Sequence, residues 1–87
     1  MIGISKVLDV KPFSIYLAFD NGEIRWVPLE DRLRNWSTTP QSKFLELLDP
    51  AYFASVKFNP ELETIEWANG IDFCPDQLYE WSLENKS

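Results

Sequence analysis

The 87-residue chain has no histidine, one cysteine, one methionine and three glycines. Without histidine, a Ser–His or Cys–His nucleophile pair is excluded, and zinc loses one of its two usual ligand types. The single cysteine, Cys74, permits no internal disulfide and suits a reducing compartment. Three scattered glycines make no phosphate-cradling loop. No stretch approaches the ~20 consecutive apolar residues of a membrane span, and the opening Met1-Ile2-Gly3-Ile4-Ser5-Lys6 lacks a signal peptide's apolar run. The expectation is a cytoplasmic, non-enzymatic protein with no cofactor, no metal site and no membrane association.

Aromatics are plentiful: four Trp, six Phe and three Tyr make up 15% of the chain. Each can bury on the order of 150–250 Å², so residues 1–87 can form a single small domain near the lower size limit for folding without staples. Aromatic residues are also enriched at interfaces, which leaves a partner-docking patch or a homodimer open. The net charge of −6 is unevenly spread. Residues 1–36 are balanced, with Lys6, Lys11, Arg25, Arg32 and Arg34 against Asp9, Asp20, Glu23, Glu30 and Asp31. All of the excess falls in residues 37–87. Such a chain repels phosphate backbones, so no direct nucleic-acid partner is expected. The acidic half reads either as a solvated surface or as a face that meets a basic protein.

Local patterns outline the elements. Ile4 to Lys11 is a strand candidate with Ile4, Val7, Leu8 and Val10 apolar but imperfectly alternating, and Pro12-Phe13 interrupts it. Ser14 to Phe19 alternates well, with Ile15, Leu17 and Phe19 on one face. Asn21-Gly22 between this run and Glu23–Pro28 is a strong hairpin signal. On the return strand Ile24 and Trp26 are expected to face the core, with Arg25 and Val27 opposite. Glu30 to Trp36 reads as a helical turn with Leu33 inward. Thr38 and Gln41 match a capping box, with Pro40 in the first turn of a helix carrying Phe44, Leu45, Leu47 and Leu48 and ending at Asp49-Pro50. Residues 51–54 form another turn. Val56 and Phe58 pair with Ile65 and Trp67 in a second hairpin, followed by a short strand at Ile71 and Phe73. Pro75 to Ser82 is the last helix, begun by proline at its first position and Asp76 at the positive end of its dipole. The fold class is α+β: two antiparallel β-hairpins plus a short strand packed against short helices.

Candidate functional residues need weighing against plainer roles. Asp72, Asp76 and Glu80 are paired carboxylates in principle, but acids at a helix start are favoured by the dipole and serve as caps. Cys74, beside a helix N-terminus, is a half-buried cap rather than a nucleophile, having no base partner. Tyr79 either packs in the core or presents its hydroxyl to a partner. Trp36 lies in a polar segment and Trp81 near the chain end. Each is a candidate contact residue, because Trp is enriched at binding hot spots, or else a cover for the core's edge, and Trp81 can also pack inward beside Leu78 and Tyr79.

The series Phe19-Asp20-Asn21-Gly22-Glu23, Leu48-Asp49-Pro50-Ala51-Tyr52-Phe53, Val56 to Leu62, Trp67-Ala68-Asn69-Gly70-Ile71-Asp72 and Pro75-Asp76-Gln77-Leu78-Tyr79-Glu80 resembles a small bacterial family classed as a domain of unknown function. The resemblance spans about Val7 to Trp81. It implies an α+β fold and no known enzyme activity. Members are often encoded beside another small protein in toxin–antitoxin-like pairs, which implies a partner-binding role. Ala68 stands where the family usually has proline, and residues 32–41 match least well. The resulting expectation is a protein-binding module, antitoxin-like or regulatory, that docks a protein partner through Trp36, Arg32, Arg34, Trp81, Asp72, Asp76 and Tyr79. The alternatives are a homodimeric assembly factor and a small-molecule sensor.

Overall fold

The structure, a computed structural model, describes residues 2–84. Strand β2 (Ser14–Phe19) sets the frame: Ile15, Leu17 and Phe19 are buried, while Ser14, Tyr16 and Ala18 between them are half-buried. It pairs antiparallel with β3 (Ile24–Pro28) through a connection at residues 20–23, in which Gly22 adopts φ +90° and the Asn21 side chain accepts the Glu23 N–H. Gly22 takes this conformation without the Cβ clash other residues would meet.

The register corrects one expectation. Ile15 lies opposite Val27 and Leu17 opposite Arg25, whereas Tyr16 lies opposite Trp26 and Ala18 opposite Ile24. Directly paired residues share a face, so Val27 is the buried residue of β3, and Trp26 and Ile24 point away from the core. Alternation defines two faces, and the pairing across the connection decides which one is inside. Arg25 is tolerated on the inner side because its guanidinium pairs with Glu23 at 2.6 Å and lies over the Tyr79 ring, its side chain still partly open to solvent.

Strand β1 (Ile4–Lys11) pairs antiparallel with β2 and completes a three-stranded sheet in the order β1-β2-β3. Its imperfect alternation has a structural cause. Register shifts occur between Ile4 and Lys6 and again between Val7 and Asp9. Each inserts one extra residue, as a β-bulge does, and locally turns the inward period from two to three. Ile4, Val7 and Val10 therefore all reach the core, opposite Phe19, Leu17 and Ile15. The extra residues, Ser5 and Leu8, are exposed.

Short helices cover the inner face. Helix α1 (Glu30–Trp36) buries Leu33 and places acids in its first turn and Arg34 in its last, matching the dipole. The capping box expected at Thr38 and Gln41 does not form, and residues 37–43 lie outside any helix. Ser42 instead accepts the Phe44 N–H and donates to the Trp36 carbonyl, so α2 is only Phe44–Leu47. The segment has to return from Trp36 and seat Phe44 against its ring, which delays the helix start. Asp49 caps α3 (Pro50–Phe53) by accepting the Ala51 N–H.

Strands β4 (Lys57–Asn59) and β5 (Thr64–Glu66) form the second hairpin. The expected strand at Ile71 and Phe73 is reduced to one bridge, Glu66 to Asp72. Helix α4 (Pro75–Leu83) runs beside β3, with Leu78 and Trp81 buried. No helix among the described residues is long and apolar enough to cross a membrane.

The core unites Ile15, Leu17 and Val27 of the sheet with Leu29, Leu33, Leu47, Phe53, Ile65, Trp67 and Leu78. Burying each large side chain contributes about 1.5–3 kcal/mol. Buried polar groups are matched: Thr64 donates to the Phe73 carbonyl and the Trp67 indole to the Phe53 carbonyl, and no buried side-chain N or O among the described residues lacks a partner. The bulged register makes adjacent apolar residues behave oppositely. Val7→Asp should cost about 2 kcal/mol or more in urea denaturation, because it pushes a carboxylate toward the core. Leu8→Asp should stay within about 0.5 kcal/mol; equal losses would contradict the second bulge.

Candidate docking site

Trp36 ends α1, where the chain turns away and leaves part of the indole uncovered. Its ring centroid lies 5.1 Å from Phe44, 6.0 Å from Phe73 and 5.9 Å from Trp81. Three rings thus hold it from one side while it remains 38% exposed. The result is a rigid aromatic edge that loses little rotamer freedom when it binds.

Of the two readings of Trp81, the structure rejects the exposed one and gives the inward-packed one: it is 8% exposed. Helix α4 continues to Leu83, so Trp81 sits within it rather than in a fraying end. Phe73 packs edge-on at 5.5 Å, and the Arg32 guanidinium covers the ring at 4.5 Å from its centroid. Arg32 also donates to Glu84 Oε1 at 2.5 Å. It therefore acts as a lid on Trp81 and a tie between α1 and α4. Arg34 donates to Glu30 Oε2 through Nε and Nη2, and its side chain is 60% exposed. Of the residues singled out in the sequence, Trp36, Arg32 and Trp81 are brought together.

Asp72, Asp76 and Tyr79 have different neighbours. Asp72 is exposed opposite Glu66. Asp76 Oδ1 accepts the Ile2 N–H at 3.2 Å, fastening the start of β1 to α4. Tyr79 packs edge-on against Phe19 at 5.2 Å and donates its hydroxyl to Glu23 Oε2 at 2.9 Å. Cys74 is the N-cap residue of α4, makes no side-chain cap and is exposed rather than half-buried. It borders a cavity of about 260 Å³ lined also by Ile2, Leu62, Glu63, Pro75 and Asp76. Among the described residues no group of three potential ligands gathers as a metal site.

Two features escaped the sequence reading. Asn69 of the Trp67–Gly70 turn donates to Glu46 Oε1 at 2.7 Å and to the Lys43 carbonyl, while Lys43 Nζ donates back to the Asn69 carbonyl. This clamp fixes α2, and with it Phe44, beneath Trp36. The Asn69-Gly70 turn signal was visible, but its long-range partners were not. The second feature is the outward face of the sheet, where Tyr16 and Trp26 stack at 4.8 Å.

The Tyr79 hydroxyl holds the Glu23 carboxyl below its ordinary value of 4.5, and the Arg25 guanidinium at 2.6 Å adds to the effect. A depressed carboxylate adds stability above its unfolded-state pKa and loses it as pH falls through the folded-state pKa. Carboxyl-detected NMR should therefore show Glu23 titrating below 4.5 and moving upward in Tyr79→Phe. That variant should also lose less stability on acidification below about pH 4.5. An unchanged Glu23 titration would remove the hydrogen bond from this account.

The comparisons with known proteins agree with this architecture. A crystal structure from Nitrosomonas europaea, of a protein described as a "putative DNA binding protein", superposes with a TM-score of 0.76 at 24% identity. The match covers 94% of this chain and 49% of that one, so the chain spans about half its length and the likeness shows the fold. No curated protein matches significantly. A family model described as "Protein of unknown function (DUF2442)" matches residues 4–84, and the chain belongs to that family.

Proposed function

We propose that this protein is a non-catalytic docking module that binds a protein partner at the aromatic edge centred on Trp36. The observation that carries the reading is the indole itself, partly open to solvent yet held by Phe44, Phe73 and Trp81. Such an anchor supplies large contact area at low entropic cost. The acidic excess of residues 37–87 favours a basic partner, which the exposed Arg34 near the end of the same helix opposes. Action would be by occlusion or regulation, as an antitoxin masks a small toxin. The free, exposed thiol of Cys74 is compatible with a reducing cytoplasm.

DNA binding, the description attached to the Nitrosomonas protein, is the less favoured reading for this chain. The net charge of −6 opposes a phosphate backbone. About half of that protein has no counterpart in the match.

The test begins with recovery of the partner from the native host by tagged pull-down at moderate salt, followed by calorimetric titration. Trp36→Ala should weaken binding at least tenfold, or about 1.4 kcal/mol, while lowering Tm by only a few degrees because the ring is partly exposed. Arg34→Glu provides a variant outside the aromatic cluster and should strengthen binding to a basic partner. Parallel loss of binding and folding in Trp36→Ala, with no effect of Arg34→Glu, would make Trp36 a structural residue.

A further inference from the structure

The sheet has one covered face and one open one. Antiparallel sheets commonly solvate one face, and that face is then polar. Here β2 and β3 make it largely apolar. They present Ser14, Tyr16, Ala18, Ile24, Trp26 and Pro28 outward, and the second bulge of β1 adds Leu8. Ile24 is 54% and Leu8 41% exposed. None of Leu8, Tyr16, Ile24 and Trp26 belongs to the core cluster or packs against it.

Lysines outnumber acids two to one among the outward strand positions of this face. Lys6 and Lys11 pair with Ala18 and Ser14, so they share the outward face along β1. Both are exposed, and neither forms an ion pair among the described residues. Lys11 Nζ lies 4.7 Å from the Trp26 ring centroid, which partly steers it over the aromatic strip. Asp9 is the one acid among the outward positions of β1, and β2 and β3 contribute no charge there. In a protein of net charge −6, this is a local basic rim on an apolar strip.

We infer that the outward sheet face is a second docking surface and that its occupant is an acidic amphipathic helix of a protein partner. Its apolar stripe would lie on Tyr16, Trp26 and Ile24, and carboxylates along one flank would meet Lys6 and Lys11. The dimensions agree. Three strands spaced about 4.8 Å apart make a face about 10 Å between outer strand axes, close to the 10–12 Å diameter of one helix. The inner face of the same sheet is already covered by helices.

A second copy of the chain fits less well. Face-to-face stacking about a two-fold axis sets the β1 lysines over Ile24, Trp26 and Pro28, or over the lysines of the other copy. Strand addition at β1 is also disfavoured, because two bulges interrupt that edge.

The test uses a synthetic helical peptide of about 18 residues, with leucine and alanine on one face and glutamate along one flank. Its counterpart carries lysine in place of glutamate. Backbone amide shifts of the full chain should move at Lys6, Tyr16, Ile24 and Trp26 with the glutamate peptide. Binding should be about tenfold weaker for the lysine peptide and for the Lys6→Glu/Lys11→Glu variant, and it should fall as salt rises. Ile24→Asp should abolish it, whereas Trp36→Ala should leave it unchanged, which separates this surface from the Trp36 edge. Equal binding of both peptides, or shifts confined to α1 and α4, would overturn the inference. So would a dimer in sedimentation that Ile24→Asp dissolves, or an oligothymidylate that shifts this face when the glutamate peptide does not.

Discussion

Trp67 is the joint on which the two halves of this molecule depend. Its indole N–H donates to the Phe53 carbonyl at 3.1 Å, and its ring lies 5.6 Å from Phe53 and 5.7 Å from Phe73. Phe53 in turn meets Phe13, in the turn between β1 and β2, at 5.4 Å. Phe73 meets Trp81 and Trp36. One chain of rings therefore runs from the three-stranded sheet, through α3 and the end of β5, to α4 and α1. Five of the eight ring contacts in this network involve Trp67 or Phe73. A domain this small has few aliphatic layers, and aromatic area makes up the difference.

That dependence gives the candidate surfaces their character. Trp36 is the outermost ring of the chain, so its position is set by buried neighbours rather than by its own short helix. The Asn69 clamp on Lys43 and Glu46 adds a polar lock from the turn that follows Trp67. The Tyr79–Glu23–Arg25 cluster ties α4 to the turn between β2 and β3 on the opposite flank. The open sheet face, by contrast, takes its rigidity from strand pairing alone. Two surfaces of different chemistry therefore sit on one scaffold, a predominantly aromatic edge on the helical side and a lysine-rimmed strip on the other.

Much of the fold was legible because local chemistry was strong. Asn21-Gly22 between patterned runs marked the hairpin, Pro75 and Asp76 marked α4, and the spacing of Leu33 marked the inward side of α1. Trp26 was misplaced because alternation is symmetric and register is a property of two strands. The capping box at Thr38 failed because Ser42 offered the helix start a nearer acceptor. At the candidate site, the polar surroundings of Trp36 pointed to its partial exposure, and Trp81 stayed ambiguous because nearness to the chain end says nothing about packing against Phe73 and Arg32. The sheet face was invisible for the reason Trp26 was misplaced: an apolar outward residue reads as a core residue until the pairing is known.

The central claim, that Trp67 joins the two halves, is tested most directly by urea denaturation of Trp67→Phe beside Trp26→Phe. The first removes a buried donor and part of a ring, leaving the Phe53 carbonyl only the longer bond from the Val56 N–H at 3.3 Å. It should cost about 2–3 kcal/mol and flatten the aromatic circular dichroism of the whole chain. The second alters a half-buried ring on the open face and should cost less than about 1 kcal/mol. If Trp67→Phe is no more damaging than Trp26→Phe, the two halves are held together by something other than this joint.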